Sequence, residues 1–213
     1  MKHRRLAAIL LKTSLIAGGL MLNTPTPSAQ AIGIFGFKEY AHTDLKPFPK
    51  WRKVLDTYKD EPGDCESGRL NACAYEKWQE LIRELKGKPK KFQLERVNTY
   101  INLYRYILDP INWGVKDYWE IPKEFFARFG DCEDYAIVKY FTLRSLGWDA
   151  EDMKIIVLQD LNLQIAHAVL AVQIDDKEMV LDNQIGLVIE SRRIRHYRPI
   201  YSVNEQGWWR YKP

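Results

Sequence analysis

Cys132, His167 and Asp182 are the residues of this chain whose types and spacing suit covalent chemistry. Cys132 follows Gly130-Asp131 and opens a predicted helix that runs to Leu146, with Gly147 as its natural stop. A thiol at a helix start meets unpaired N–H groups and the positive end of the helix dipole. Such a place lowers a thiol pKa from about 8.5 into the range of roughly 3.5–7.5, above all beside a histidine. The thiolate, not the thiol, attacks a carbonyl, and the same N–H groups can hold a developing oxyanion. The chemistry indicated is acyl transfer through a thioester.

His167 is the expected base, 35 positions after the cysteine in the apolar run Ile165-Ala166-His167-Ala168-Val169-Leu170. On a strand it shares a face with residues 169 and 171, and small Ala166 and Ala168 leave room around the ring. Taken alone, it reads equally well as a satisfied strand-end histidine. His42 lies in an N-terminal arm and His196 in an Arg-rich stretch, and both look like surface residues. Asp182 follows by 15 positions, at the end of the next predicted strand. A hairpin through Asp175-Asp176 would set that strand beside the first, leaving both side chains at one end of a sheet. Taken alone, Asp182 before Asn183 is a turn initiator. In order, the three form a thiolate–imidazolium–carboxylate arrangement.

Asp131, Glu133 and Asp134 surround the thiol with negative charge. A carboxylate about 6 Å from a thiolate, at an effective dielectric constant of about 20, repels it by roughly 2.8 kcal/mol. Two arrangements resolve the conflict. In one, Asp131 caps the helix, Asp134 closes a reciprocal cap three residues on, and both carboxylates point away from sulfur. In the other, a hard cation such as Ca²⁺ neutralises the cluster.

The elements that must position these residues follow from periodicity. Trp51–Tyr58 and Ala74–Leu85 read as helices, and Phe92–Leu108 carries a 3.6-residue pattern ended by Pro110. Residues 110–131 form an aromatic connection in which Phe125, Phe126 and Phe129 suit a short helix. Beyond Gly147 the pattern turns to β-branched and alternating runs at 154–159, 166–174 and 179–182. Shorter runs follow near 187–190, 199–203 and 208–211. Helices first and strands afterwards predict an α+β domain over 75–213 with an antiparallel sheet, preceded at 32–74 by an arm and a cysteine loop.

The first 31 residues have a basic start, an apolar run from Leu6 to Leu22 and Ala29-Gln30-Ala31, the pattern of a secretory signal peptide cut after Ala31. The leader's Lys2, Arg4, Arg5 and Lys12 account for the whole net charge of +4, and 28 basic against 28 acidic residues remain. That balance speaks against a nucleic-acid surface. No second apolar stretch suits a membrane span, so the mature chain is expected to be soluble and periplasmic. An oxidising compartment favours a Cys65–Cys73 bridge, leaving Cys132 as a buried hydrophobe, an intermolecular bridge or a reactive thiol.

The run Gly130-Asp131-Cys132-Glu133-Asp134-Tyr135-Ala136, with Lys139-Tyr140-Phe141-Thr142-Leu143, resembles the bacterial transglutaminase-like cysteine proteinases. Trp113 to Trp119, Pro122, His167-Ala168-Val169-Leu170 and Leu181-Asp182-Asn183 match the same family, and the resemblance covers about 75–200. It implies a papain-like fold, with Cys132, His167 and Asp182 as a triad. It also implies calcium dependence, with Asp131, Glu133 and Asp134 at the metal. It further implies a periplasmic protease that cuts the N-terminal region of a large surface adhesin, releases cells from a biofilm and is sequestered by an inner-membrane cyclic di-GMP receptor. The same thioester passed to a lysine amine gives a transglutaminase, and at a side-chain amide it gives an amidase. A non-catalytic periplasmic binding module is the third reading.

Overall fold

The computed structural model describes residues 33–58 and 73–213. The expected signal peptide and Cys65 lie outside the described residues. A 3-10 turn at Ile34–Gly36 precedes β1 (Lys38–His42), α1 (Pro49–Thr57), α2 (Ala74–Leu85), α3 (Lys90–Ile101), the single-turn α4 (Asp109–Asn112), α5 (Pro122–Arg128) and α6 (Cys132–Ser145). The strands β2 (Met153–Asp160), β3 (Ile165–Ile174), β4 (Lys177–Leu181), β5 (Ile189–Glu190), β6 (Tyr197–Val203) and β7 (Trp208–Lys212) follow. They form a seven-stranded antiparallel sheet in the order β1-β7-β6-β2-β3-β4-β5. No helix among the described residues is long and apolar enough to cross a membrane.

Both faces of the sheet are covered, which is why β3 reads as an almost unbroken apolar run. Leu170 and Val172 join Ile155 and Leu181 in the core shared with the helices. Val169 and Ala171 join Ile156, Leu158, Tyr197 and Ile34 in a second core on the opposite face. α6 lies at the centre of the helical layer, buried on every side from Asp134 to Leu143. A helix so enclosed is a rigid mount for its first residue, Cys132.

Two expectations from periodicity fail. α3 stops at Ile101 rather than Leu108. Asn102 caps its end and donates to the Asp182 carbonyl at 2.7 Å, Tyr104 turns into the cluster of Phe125, Phe126 and Phe129, and Tyr106 bridges in parallel to Gly130. Leu103 is 77% exposed and Leu108 49%, so the continued stripe has no core to face. The expected arm, in turn, is part of the domain. β1 pairs with β7 over Lys38–His42, and Trp51 and Val54 of α1 are buried in the main core. Hydrogen bonding to a strand some 170 residues later leaves no local sequence signature.

Candidate active site

Cys132 is the first residue of α6, and the backbone just before it is tightly fixed. The Asp134 carboxylate accepts the N–H of Asp131 at 3.0 Å on one oxygen and the N–H of Glu120 at 2.8 Å on the other. The Asp134 side of the reciprocal cap expected from the spacing is formed in this way, with a second loop tied in, while the Asp131 carboxylate accepts the Asp109 N–H and stays close to the sulfur. Gly130 leaves room for it, since a Cβ there would lie 2.3 Å from Asp134 Oδ2. Ile107 N–H donates to the Gly130 carbonyl at 2.9 Å, which anchors the 102–112 segment against the same corner.

The Cys132 thiol lies 3.1 Å from Glu133 Oε2 and receives the N–H of Ala168, the residue after His167. The cysteine is therefore set against the start of β3. It is the free cysteine among the described residues. Burial pushes its pKa up, and the charges of Glu133 and Asp131 push the same way, while the Ala168 N–H opposes them. The electrostatic conflict visible in the sequence is thus present in the fold.

His167 and Asp182 form the other half. His167 Nε2 lies 2.9 Å from Asp182 Oδ1, with both side chains buried. Asp182 stands one residue beyond β4, whose pairing with β3 ends at Leu170 and Leu181. Its Oδ1 also accepts the Gln184 N–H at 2.9 Å, and its Oδ2 accepts the Tyr197 hydroxyl at 2.6 Å. Burial works against this carboxylate, yet the His167, Tyr197 and Gln184 hydrogen bonds together hold its pKa below the usual value. The edge of the Tyr197 ring meets the imidazole at 5.8 Å and 61°. His167 Nδ1 faces Gln184 Nε2 at 3.4 Å. An imidazole held through Nε2–H presents Nδ1 for proton exchange.

The acids around Cys132 extend further than their sequence neighbours suggest. Asp109, Asp131 and Asp134 bring carboxylate oxygens within 4.8 Å of one another, as do Asp109, Asp117 and Glu133. Asp109 Oδ1, Asp131 Oδ1 and Glu120 Oε2 are buried with no hydrogen-bond partner among the described residues. Burial, reinforced by the neighbouring charges, raises the pKa of Asp109 to about 6, of Glu120 to about 8 and of Glu133 to about 9. Asp134 is raised well above its usual value for the same reasons. Buried oxygen donors without proton donors are what a hard cation requires, so the residues present fit calcium. Asp134 borders the cluster with both oxygens already accepting backbone N–H groups.

The structure thus brings Cys132, His167 and Asp182 to one end of the sheet, and Asp131, Glu133 and Asp134 to one corner beside the sulfur. Sequence reasoning missed Asp109, Asp117 and Glu120, which reach that corner from an irregular aromatic connection. It also missed Tyr197 and Gln184, which hold Asp182. Trp113 donates to Glu120 Oε1 and stacks on Tyr118, so this pair braces the acidic corner.

Fold and site together define the class. The bacterial transglutaminase-like cysteine proteinase (BTLCP) family model matches residues 57–210, and the chain belongs to that family. Its fold is papain-like, of the transglutaminase-like kind. Among solved structures, calcium-bound LapG of Legionella pneumophila is similar, at 34% identity and a TM-score of 0.61, over 76% of this chain and 86% of that one. EGTA-treated LapG from the same organism matches at 34% identity and a TM-score of 0.62, over 78% and 86%. No curated protein matches the chain in sequence.

Proposed function

We propose that this protein is a calcium-dependent thiol endopeptidase of the periplasm. The observation that carries the reading is the His167–Asp182 pair at 2.9 Å, one residue from the amide that touches the Cys132 sulfur. In this reading Cys132 attacks a peptide carbonyl after His167 takes the thiol proton at Nδ1. His167 then returns the proton to the departing amine, leaving a thioester on Cys132 that water hydrolyses. Asp182 holds the ring and balances its positive charge, and Tyr197 and the Gln184 N–H hold Asp182. The N–H groups at the start of α6 receive the oxyanion.

Asp109, Asp131 and Glu133, with Asp117 alongside, are the residues to hold calcium, and Asp134 fixes the backbone they hang from. The cation supplies positive charge where carboxylates otherwise oppose a thiolate. The likeness to LapG, with its calcium-bound form, supports this reading. For substrate we take the N-terminal region of a large surface adhesin, with biofilm release as the outcome. For restraint we take an inner-membrane cyclic di-GMP receptor. Membership of a cysteine proteinase family supports a protein substrate.

The test incubates the mature protein with the N-terminal segment of a surface adhesin from the same cell, in calcium or in EGTA. Shorter fragments formed only with calcium, and not by Cys132→Ala, are expected. Cross-linked ladders instead would make the enzyme a transamidase. Periplasmic fractions should contain a chain beginning at residue 32, read by intact mass.

A further inference from the structure

Among the described residues, nine of the twelve exposed large apolar side chains belong to three short segments around Cys132, His167 and Asp182. Five lie on 102–115, three at the turn between β2 and β3, and one, Leu187, shortly after Asp182. Exposed apolar side chains scattered singly are ordinary, but gathered at one place they mark a binding surface.

The first segment runs beside the nucleophile. Ile107 N–H donates to the Gly130 carbonyl at 2.9 Å, and Asn112 Nδ2 donates to the Phe129 carbonyl at 2.7 Å. The Tyr106 ring stacks on Tyr135 of α6 at 6.2 Å. The segment is thereby fixed along the residues just before Cys132, with Leu103, Leu108 and Ile111 left in solvent. The second segment leads into the base. Asp160 accepts the N–H of Asn162 at 2.8 Å and of Leu163 at 3.1 Å, and Leu161 N–H donates to the His196 carbonyl at 2.9 Å. Ile165 opens β3 two residues before His167 and shares its face of the sheet. Leu163 lies four residues before His167, at most about 14 Å away along the chain. Backbone hydrogen bonds thus hold both segments, and their apolar side chains still face water. A surface ordered in advance loses little entropy when a ligand settles on it.

We propose that these two borders are the substrate-binding walls of the site. The peptide they take is an extended segment with aliphatic or aromatic side chains on both sides of the bond that is cut. The inference rests on the peptidase reading above and names the class of substrate. Ile111 on the Cys132 side and Leu163 on the His167 side are the specificity-determining residues, since each removes apolar surface of the peptide from water.

Binding tests the walls apart from the chemistry. Mature Cys132→Ala, in calcium, is titrated with a fluorescein-labelled peptide carrying leucines on both sides of a central Gly-Gly, and anisotropy is followed. A control peptide carries asparagines in their place. The leucine peptide should bind at least about tenfold more tightly. Ile111→Asn or Leu163→Asn, each added to Cys132→Ala, should weaken its binding about tenfold and leave the control unchanged. Ile111 is 77% and Leu163 56% exposed, so Tm should move by no more than about 2 °C. In the active protein the same two substitutions should raise KM about tenfold at unchanged kcat. Equal affinity for the two peptides, or variants that bind as tightly as their parent, overturns the proposal. So does sedimentation with phosphatidylethanolamine–phosphatidylglycerol vesicles, or a dimer, that the two substitutions abolish while neither peptide is preferred. Cleavage of both peptides with equal kcat/KM would remove the walls and leave the peptidase. Selective binding by a wild type that cuts no member of a random peptide library would remove the peptidase and leave the walls.

Discussion

The two halves of the site are built on opposite principles. On the His167 side both oxygens of Asp182 are used, by His167, Gln184 and Tyr197, and its carboxylate is stabilised despite burial. On the Cys132 side three carboxylate oxygens are buried without partners among the described residues, and the pKa values of Asp109, Glu120 and Glu133 are raised by burial and, each of them, by the charge of Asp131. The fold thus completes one half by hydrogen bonding alone and leaves the other short of positive charge. On the function proposed above, that asymmetry assigns the cation to the nucleophile's side and none to the base.

The sharpest break in the comparison is Cys132→Ala. Cleavage should fall by about four orders of magnitude or more, while circular dichroism and calcium binding are kept. Residual turnover near wild type would remove the thiol from the mechanism. Next comes calcium, measured by thermal melting. An ion at about 100 times its Kd stabilises by roughly 2.7 kcal/mol. At about 2–4 °C per kcal/mol for a chain of this size, Tm should rise by roughly 5–10 °C. Asp109→Asn should abolish that rise and yet melt higher than wild type in EGTA, because it relieves the repulsion. A drop in EGTA would show that the cluster is held together without a cation.

Gly130→Ala is expected to destabilise by about 3 kcal/mol, since its Cβ would meet a fully buried carboxylate at 2.3 Å. Urea unfolding measures it, and calcium affinity should fall with it because Asp131 is displaced. Tyr197→Phe has the smallest effect, about 1.5 kcal/mol for one hydrogen bond to a charged group. It should lower kcat without touching calcium affinity, read by titration against melting temperature. A change in calcium affinity would mean that the two halves are coupled after all.

What could be read from the chain tracks the same asymmetry. Cys132 was legible because a helix stop at Gly147 and the Gly130-Asp131 start fix the end of α6 locally. His167 and Asp182 were legible because a two-strand hairpin is a short-range object whose period puts both at one end. Asp109, Asp117 and Glu120 were not, since they reach the cysteine through turns whose course is set by contacts such as Trp113 with Glu120 and Tyr118 N–H with Asp109. α3 was overrun to Leu108 because helical spacing continues in Tyr104 and Leu108 after the backbone has turned. β1 could not be assigned because its only reason to be a strand is β7.

The central claim is that His167 activates Cys132. A peptide carrying a thiol-directed electrophile, with intact mass and peptide mapping as the readout, tests it most directly. The account predicts one adduct on Cys132 in calcium, lost in His167→Ala and slowed in EGTA. Labelling of Cys132 at the same rate without the imidazole, or labelling at another residue, would contradict it.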